Sequence, residues 1–204
     1  MPIKLRVATF NLMNLDDRRD RRPSLEERIP ILRPQLVRLD ADILCLQEVC
    51  GQHEQGGRMR LDAMNRLLEC TPYEGYKRVS SLDGTTGEVF ENHNLVILSR
   101  YEIVEHHQYL HDYAPSPKYQ KVTAQPEEHE ASEISWERPI LHAKIRLPNN
   151  MVVDVINLHL KSRRPTKIQG HRINERVWKT ASGWAEGVFI SSMKRIGQSL
   201  ETGY

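Results

Sequence analysis

Three apolar runs in this sequence end in side chains able to do chemistry: Thr9-Phe10-Asn11, Leu46-Gln47-Glu48 and Ile156-Asn157-Leu158-His159. A carboxylate, amides and an imidazole gathered at the rim of a sheet can hold a hard divalent cation and a phosphate. Glu48 offers the charged oxygen that Mg²⁺ prefers, and Asn11 a neutral group to orient the ligand or a metal-bound water. Side chains alternate faces along an extended chain, so His159 shares a face with Asn157 and can donate to a phosphoryl oxygen there. Lys161 is next on that face and adds positive charge. Taken singly, each of these residues is more often structural. A strand-ending Asn usually makes a turn, Gln-Glu after an apolar run usually starts a solvated loop, and a strand His is usually satisfied in the core. The recurrence of the pattern at three strand ends is what points to a site.

The elements that must position these residues follow from periodicity. Ile3, Leu5 and Val7 alternate and lead into Ala8-Thr9-Phe10, a strand expected to become fully buried towards Asn11. Residues 16–23 form a loop carrying Arg18, Arg19, Arg21 and Arg22, and Ser24-Leu25-Glu26-Glu27 is a capping box that starts a helix. Pro30 and Pro34 predict that this helix breaks into two short pieces reaching Leu39. Ile43-Leu44-Cys45-Leu46 is a buried strand, and Leu61, Met64, Leu67 and Leu68 predict a helix over about 59–69. Leu95-Val96-Ile97-Leu98 is a third buried strand, with a short one expected after Tyr101.

Residues 107–137 read as a polar surface excursion, marked by Pro115, Pro117 and Pro126 and by the acidic Glu127, Glu128 and Glu130. Residues 138–147 and 151–160 predict an antiparallel hairpin across Pro148-Asn149-Asn150. A final helix is expected over about 171–200, with Ile173, Val177, Ala181, Trp184, Val188 and Ile196 on one stripe. Gly183 and Gly187 lie within it, a cost to the helix unless another backbone comes close there. Mixed strands and helices joined by hairpins imply an α/β (α+β) architecture in a single domain spanning 1–204.

Composition narrows the function classes. Twenty-nine Lys and Arg against 27 Asp and Glu give a formal charge of +2, too small a field to argue for nucleic-acid binding by itself. No window approaches the roughly 18 apolar residues of a membrane span, so the expectation is a soluble, cytoplasmic protein. Cys45, Cys50 and Cys70 contain no C-x-x-C pair and suggest neither a disulfide framework nor a zinc knuckle; Cys45 reads as a buried thiol.

Four segments, in order, resemble signatures of the endonuclease/exonuclease/phosphatase superfamily: Arg6-Val7-Ala8-Thr9-Phe10-Asn11-Leu12, Ala41-Asp42-Ile43-Leu44-Cys45-Leu46-Gln47-Glu48-Val49, Asn94-Leu95-Val96-Ile97-Leu98-Ser99-Arg100, and Val155-Ile156-Asn157-Leu158-His159-Leu160-Lys161-Ser162. The resemblance implies a four-layered α/β/β/α sandwich with two packed mixed sheets and the site at one rim. It implies Mg²⁺, or Mn²⁺, held by Glu48 with Asn11 beside it, and His159 as a phosphate-contacting catalytic residue. Asn157, Lys161 and Asn94, all in the matched segments, are the expected phosphate or substrate contacts. Members of the superfamily also carry a Gly-Asp-x-Asn and a Ser-Asp-His segment, neither of which occurs here. The expectation is therefore a sandwich incomplete at its C-terminal side, with much of the positioning and general-base machinery absent.

Three functions remain in view. The first is metal-assisted hydrolysis of a phosphate ester, nucleic acid among the candidate substrates. The second is an inactive fragment or pseudoenzyme that only binds metal or phosphate. The third, a non-cleaving nucleic-acid-binding module using the Arg18 to Arg22 and Lys161 to Arg164 patches, is the weakest given the small net charge. Specificity is expected to reside in the 16–23 loop and the 107–137 excursion. Apolar side chains such as Val152, Val155, Ile156 and Leu158 are expected to lack packing partners, exposing surface that drives self-association through the incomplete sheet.

Overall fold

A computed structural model describes residues 4–18, 20–53 and 57–203. In chain order the elements are β1 (Val7–Leu15), α1 (Leu25–Leu39), β2 (Ile43–Val49), β3 (Gln52–His53), β4 (Met59–Arg60), α2 (Asp62–Leu68), β5 (Lys77–Ser80), β6 (Asn94–Ser99), β7 (Glu102–Tyr109), β8 (Lys118–Tyr119), β9 (Ser132–Glu133), β10 (Ile140–Arg146), β11 (Val152–Asn157) and α3 (Ala181–Leu200). They form two compact units. The first comprises residues 1–108 and 140–159, the second 109–139 and 160–204.

The first unit is built on a four-stranded mixed sheet of order β1-β2-β6-β5, in which β1 and β2 run parallel with α1 as their crossover, while β2, β6 and β5 are antiparallel neighbours. One face of this sheet, through Leu44, Leu46, Val96 and Leu98, packs on α1 and α2 through Leu25, Leu36, Met64 and Leu67. The other face, through Ile43, Cys45, Leu95 and Ile97, meets Leu141, Ala143 and Ile145 of a three-stranded sheet of order β11-β10-β7. Strands β2 and β6 are covered on both faces, which is why their sequences are unbroken apolar runs. Each such buried aliphatic side chain stabilises the fold by about 1.5–3 kcal/mol relative to exposure. The outer face of the second sheet carries charged pairs, with His142 against Asp154, Lys144 against Glu105, and Arg146 against Glu102, alongside the exposed Val152 and Ile156.

Strands β1 and β11 each form one edge of their sheet, with β5 and β7 at the opposite edges. Strand β1 alternates between exposed and covered positions, so the expectation that it becomes fully buried towards Asn11 fails: Asn11 is exposed and Val7 is 53 % exposed. An edge strand has a neighbour on one side only. Between β1 and β11 lies an open groove of about 510 Å³, lined by Val7, Thr9, Cys45, Val153 and Val155 among others. Of the apolar side chains expected to lack partners, Val152 and Ile156 are 46 % and 44 % exposed, whereas Leu158 is half-buried and Val155 packs against the core between the two sheets.

Helix α1 is continuous, where Pro30 and Pro34 had predicted two pieces. Its ends are strongly held. The Ser24–Glu27 capping box closes the start, and Asp40 in the left-handed region closes the finish. Burial of Leu25 and Leu36, with Ile29 and Leu32 packed beside them, offsets the backbone bonds that the prolines remove. The Arg33 guanidinium also donates to the Arg66 and Leu67 carbonyls at 2.6 and 3.1 Å. Helix α2 is shorter than the predicted 59–69 because Met59–Arg60 pairs with Gln52–His53 as β4 and β3.

The second unit contains the segment read from sequence as a surface excursion. It supplies core residues: Ala124 and Ile134 pack with Ile168 of the following loop and Ile190 of α3. Helix α3 begins at Ala181, ten residues later than the sequence stripe suggested, because Thr180 caps it by accepting from the Gly183 amide. The chain ahead of Thr180 is held otherwise, by an Arg172–Trp178 bridge and by the Asn174 side chain accepting from the amides of Arg176 and Val177. Ile173 and Val177 therefore lie outside the helix, and both are exposed. Another backbone comes close at Gly187, whereas Gly183 faces the His171 side chain. A Cβ on Gly187 would stand 2.5 Å from the Thr166 carbonyl oxygen, and the Thr166 amide donates to the Gly187 carbonyl at 2.9 Å. Among the described residues no helix is long and apolar enough to cross a membrane.

Candidate active site

Asn11 in the middle of β1, Glu48 near the end of β2 and His159 two residues past β11 come together within the first unit, so Asn11 does not end its strand as the sequence suggested. The local cause is a break in the ladder. Strand β2 pairs with β1 in register from Ile43 to Gln47 and resumes at Leu15–Val49, and it slips against β6 between Leu46 and Val49. An extra residue in one strand re-aims the side chain at the bulge. Against β6 the surplus on β2 falls at Gln47–Glu48, and against β1 it is Leu12 to Asn14 that stand opposite Glu48 alone; Glu48 has a φ of 57°, in the left-handed region that a Glu rarely adopts. Met13 and Asn14 on the facing strand also have positive φ, 47° and 52°. Arg28 of α1 holds this distorted stretch by donating to the Asn14 carbonyl at 3.1 Å and to the Leu12 carbonyl.

The Glu48 carboxylate is engaged on both oxygens. Asn11 Nδ2 donates to Oε1 at 3.1 Å, the Asn14 amide donates to Oε2 at 3.0 Å, and His159 Nε2 lies 3.4 Å from Oε1. Partial burial pushes the Glu48 pKa up, but the Asn11 hydrogen bond, the nearby His159 and His93 and the Asn14 amide outweigh it, leaving the group below its ordinary value. Glu48 is thus an anion at neutral pH. The His93 ring stands perpendicular to that of His159, with centroids 6.4 Å apart.

Asn157 and Asn94 serve differently from the substrate contacts that the sequence suggested. Asn157 is buried; its Oδ1 accepts from Gln47 Nε2 at 2.7 Å, and its Nδ2 donates to the Leu46 and Val96 carbonyls, both at 3.0 Å. It ties the second sheet to the first beside the register break and so fixes where His159, two residues on, can reach. Asn94 is wholly buried. Its amide donates to the carbonyls of Val49 and Phe90 and accepts from the Phe90 amide and Ser81 hydroxyl, which uses its bonding capacity on the protein itself. Lys161 belongs to the second unit, where its backbone amide donates to Gln198 Oε1 at 2.6 Å.

Sequence reading missed Arg28, Asn14 and His93. Asn14 acts through its backbone amide, which no side-chain pattern reveals, and Arg28 looked like any helix-surface cation. His93 directly precedes the matched Asn94 segment, so its position beside an apolar strand was a usable signal.

Among the described residues no three His, Cys, Asp or Glu side chains gather in a metal-holding group. One carboxylate with an adjacent amide does suit a hard cation, because Mg²⁺ retains most of its waters and takes one or two carboxylates. Glu48, ionised and with lone pairs remaining beyond its two hydrogen bonds, fits that role.

Among solved structures, a mannosyl-6-phosphatase from Bacteroides thetaiotaomicron aligns with a TM-score of 0.50 and 17 % identity, over 77 % of this chain and 52 % of its own. This chain shares the α/β fold of that phosphatase. An endonuclease/exonuclease/phosphatase family protein from the same bacterium aligns over 98 % of this chain and 58 % of its own at TM-score 0.49 and 17 % identity. Another, from Leptotrichia buccalis, covers 76 % and 55 % at 0.45 and 15 %. The chain spans about half the length of these endonuclease/exonuclease/phosphatase structures. No family model matches the sequence, and no curated protein matches it.

Proposed function

We propose that this fold serves metal-dependent hydrolysis of a phosphate ester, of phosphodiesterase, nuclease or phosphatase type, with the site at Glu48, Asn11 and His159. The observation that carries the reading is the Glu48 carboxylate, held ionised in a left-handed backbone conformation at a ladder break and met there by Asn11, Asn14 and His159. An irregularity of this kind is kept only where the surroundings over-determine it. Mg²⁺, or Mn²⁺ in its place, would be held by Glu48 with Asn11 beside it. When bound it supplies charge neutralisation at the phosphoryl oxygens. Asn11 and the Asn14 amide orient the carboxylate. His159 donates from its imidazole to a phosphoryl oxygen, stabilising charge that develops in the transition state.

The exposed apolar side chains along the edge strands β1 and β11 favour a second reading for this stretch of chain alone. In that reading it binds metal or phosphate without turnover and self-associates through the open groove. One experiment separates the two: assay of a generic phosphodiester and a generic phosphomonoester with and without Mg²⁺, alongside the mass in solution. Mg²⁺-dependent turnover by a monomer, reduced in His159→Ala, supports the enzyme. A dimer or larger species with no turnover supports the second reading.

A further inference from the structure

The second unit holds a feature that phosphoester hydrolysis at Glu48 does not use. A cavity of about 180 Å³ is lined by Trp136, Arg138, Lys161, Lys194 and Gln198. It shares Glu137, Lys161, Ser162 and Lys194 with a larger hollow of about 760 Å³. That hollow adds the cations Arg164, Lys167, Arg172 and Arg176, and the rings of Trp178 and Trp184. Two carboxylates line the two spaces, Glu137 and Glu175. The only salt bridge that Lys194 makes among the described residues is a loose one: Lys194 Nζ is 3.6 Å from Glu137, whose side chain is 84 % exposed, while the Lys194 side chain is 14 % exposed.

The backbone that carries Lys161 and Arg164 is held in place. The Lys161 amide is bonded to the buried Gln198, and the Arg164 carbonyl accepts from the buried Ser191 hydroxyl at 2.7 Å. Thr166 Oγ1 and Ser191 Oγ are 2.9 Å apart, and the backbone contact at Gly187 presses the same stretch onto α3. Burial lowers the pKa of the Lys161 ammonium, and Lys194, Arg138 and Arg195 push it the same way against the opposing Glu137. Like charges fixed close together with too few counter-charges raise the free energy of the empty arrangement, and a multivalent anion relieves it at little ordering cost.

We propose that this hollow binds a small anion carrying two or more neighbouring phosphate groups. The cations surround a concave hollow, half open to solvent, that has room for a compact polyphosphate, and the oligonucleotide arm of the test below separates this from a nucleic-acid strand. Trp184, 49 % exposed, offers a face on which a nucleobase attached to such a group can stack.

All three tryptophans of the chain line these two spaces, so intrinsic tryptophan fluorescence reports on the hollow alone. The test titrates the whole chain with tripolyphosphate and with ATP, both without divalent metal, and with a short single-stranded oligonucleotide. Saturable quenching or enhancement by tripolyphosphate is expected, weakened at least about tenfold in Lys161→Met. The exposed pair of substitutions Arg164→Gln and Lys167→Gln, both on the larger hollow, gives the same loss, in case Lys161→Met disturbs folding. Tighter binding of ATP than of tripolyphosphate assigns the source as a nucleotide, and the reverse order assigns a free polyphosphate; either supports the site. Glu48→Gln leaves the titration unchanged, so failure here and failure of the Glu48 site are told apart. No saturable signal, an affinity indifferent to the cation substitutions, or tighter binding of the oligonucleotide would overturn the proposal.

Discussion

The two units handle charge in opposite ways. Around Glu48 a single carboxylate is answered at close range by an amide, a backbone N–H and an imidazole, all placed by a break in a ladder whose strands are buried on both sides. In the second unit, cations collect around a hollow with two carboxylates among them, and the framework that fixes them is a loop pressed onto a glycine-bearing helix. The first arrangement suits one hard cation and the phosphate that accompanies it. The second suits an anion of higher valence. Their coexistence shows why a net charge of +2 was uninformative: an average over the chain hides a local excess of one sign.

The largest expected effect sharpens that contrast. His159→Ala should lower phosphoester turnover on the order of 10²–10³-fold, as losing a donor to developing charge does, while leaving tripolyphosphate binding in the second unit untouched. Parallel turnover and fluorescence titrations check both halves. A loss in both would mean that the two sites are one. Next in size is Gly187→Val. A branched side chain against the Thr166 carbonyl should destabilise the second unit by about 1–3 kcal/mol or more and displace the loop that carries its cations. A lower tryptophan-detected melting temperature with weaker tripolyphosphate binding is the expected result, and an unchanged melt would show that α3 yields at this contact.

A smaller, pH-dependent effect belongs to Glu186. This buried carboxylate accepts from the Val122 and Thr123 amides at 2.6 and 3.0 Å and from the Tyr119 hydroxyl at 2.9 Å. Burial raises its pKa, yet the bonds from Thr123, Val122 and Tyr119 leave it lowered on balance. A depressed folded pKa means that its contribution is present above the unfolded value of 4.5 and is lost as pH falls through the folded one. Glu186→Gln should cost about 1–3 kcal/mol at pH 7 and flatten the acid limb of the stability curve below about pH 4.5, read by denaturant unfolding at several pH values. The smallest effect is expected on the outer face of the second sheet. Removing the exposed Arg146–Glu102 pair by Arg146→Ala should change stability by roughly 0–1 kcal/mol, less still in high salt.

Much of the first unit was legible because its strands obey simple rules. The unbroken apolar runs of β2 and β6 report burial on both faces, the Ser24–Glu27 box marks a helix start, and Asn149-Asn150 marks the turn between β10 and β11. The chemistry-bearing residues of three apolar runs could be named, and Asn11, Glu48 and His159 do meet. Their roles were less readable. Whether an asparagine faces a ligand or satisfies backbone carbonyls depends on the register of a second sheet, which is a long-range property; Asn94 and Asn157 are both turned inward. The continuity of α1 through two prolines was decided by tertiary burial against local propensity. The second unit was hidden most, because its core is small, and a proline- and glutamate-rich segment that buries Ala124 and Ile134 has the composition of a surface loop.

The measurement that tests the central claim most directly is isothermal titration of the chain with Mg²⁺, in the wild type and in Glu48→Gln, with circular dichroism to establish that both are folded. The amide substitution keeps the shape of the side chain and removes its charge. If Glu48 holds the cation, the wild type binds Mg²⁺ and the variant binds at least about tenfold more weakly, a difference of roughly 1.4 kcal/mol or more. Equal affinities in two folded proteins would contradict the account, because the strained, ionised carboxylate at the ladder break would then be a structural feature and not the centre of a metal-dependent site.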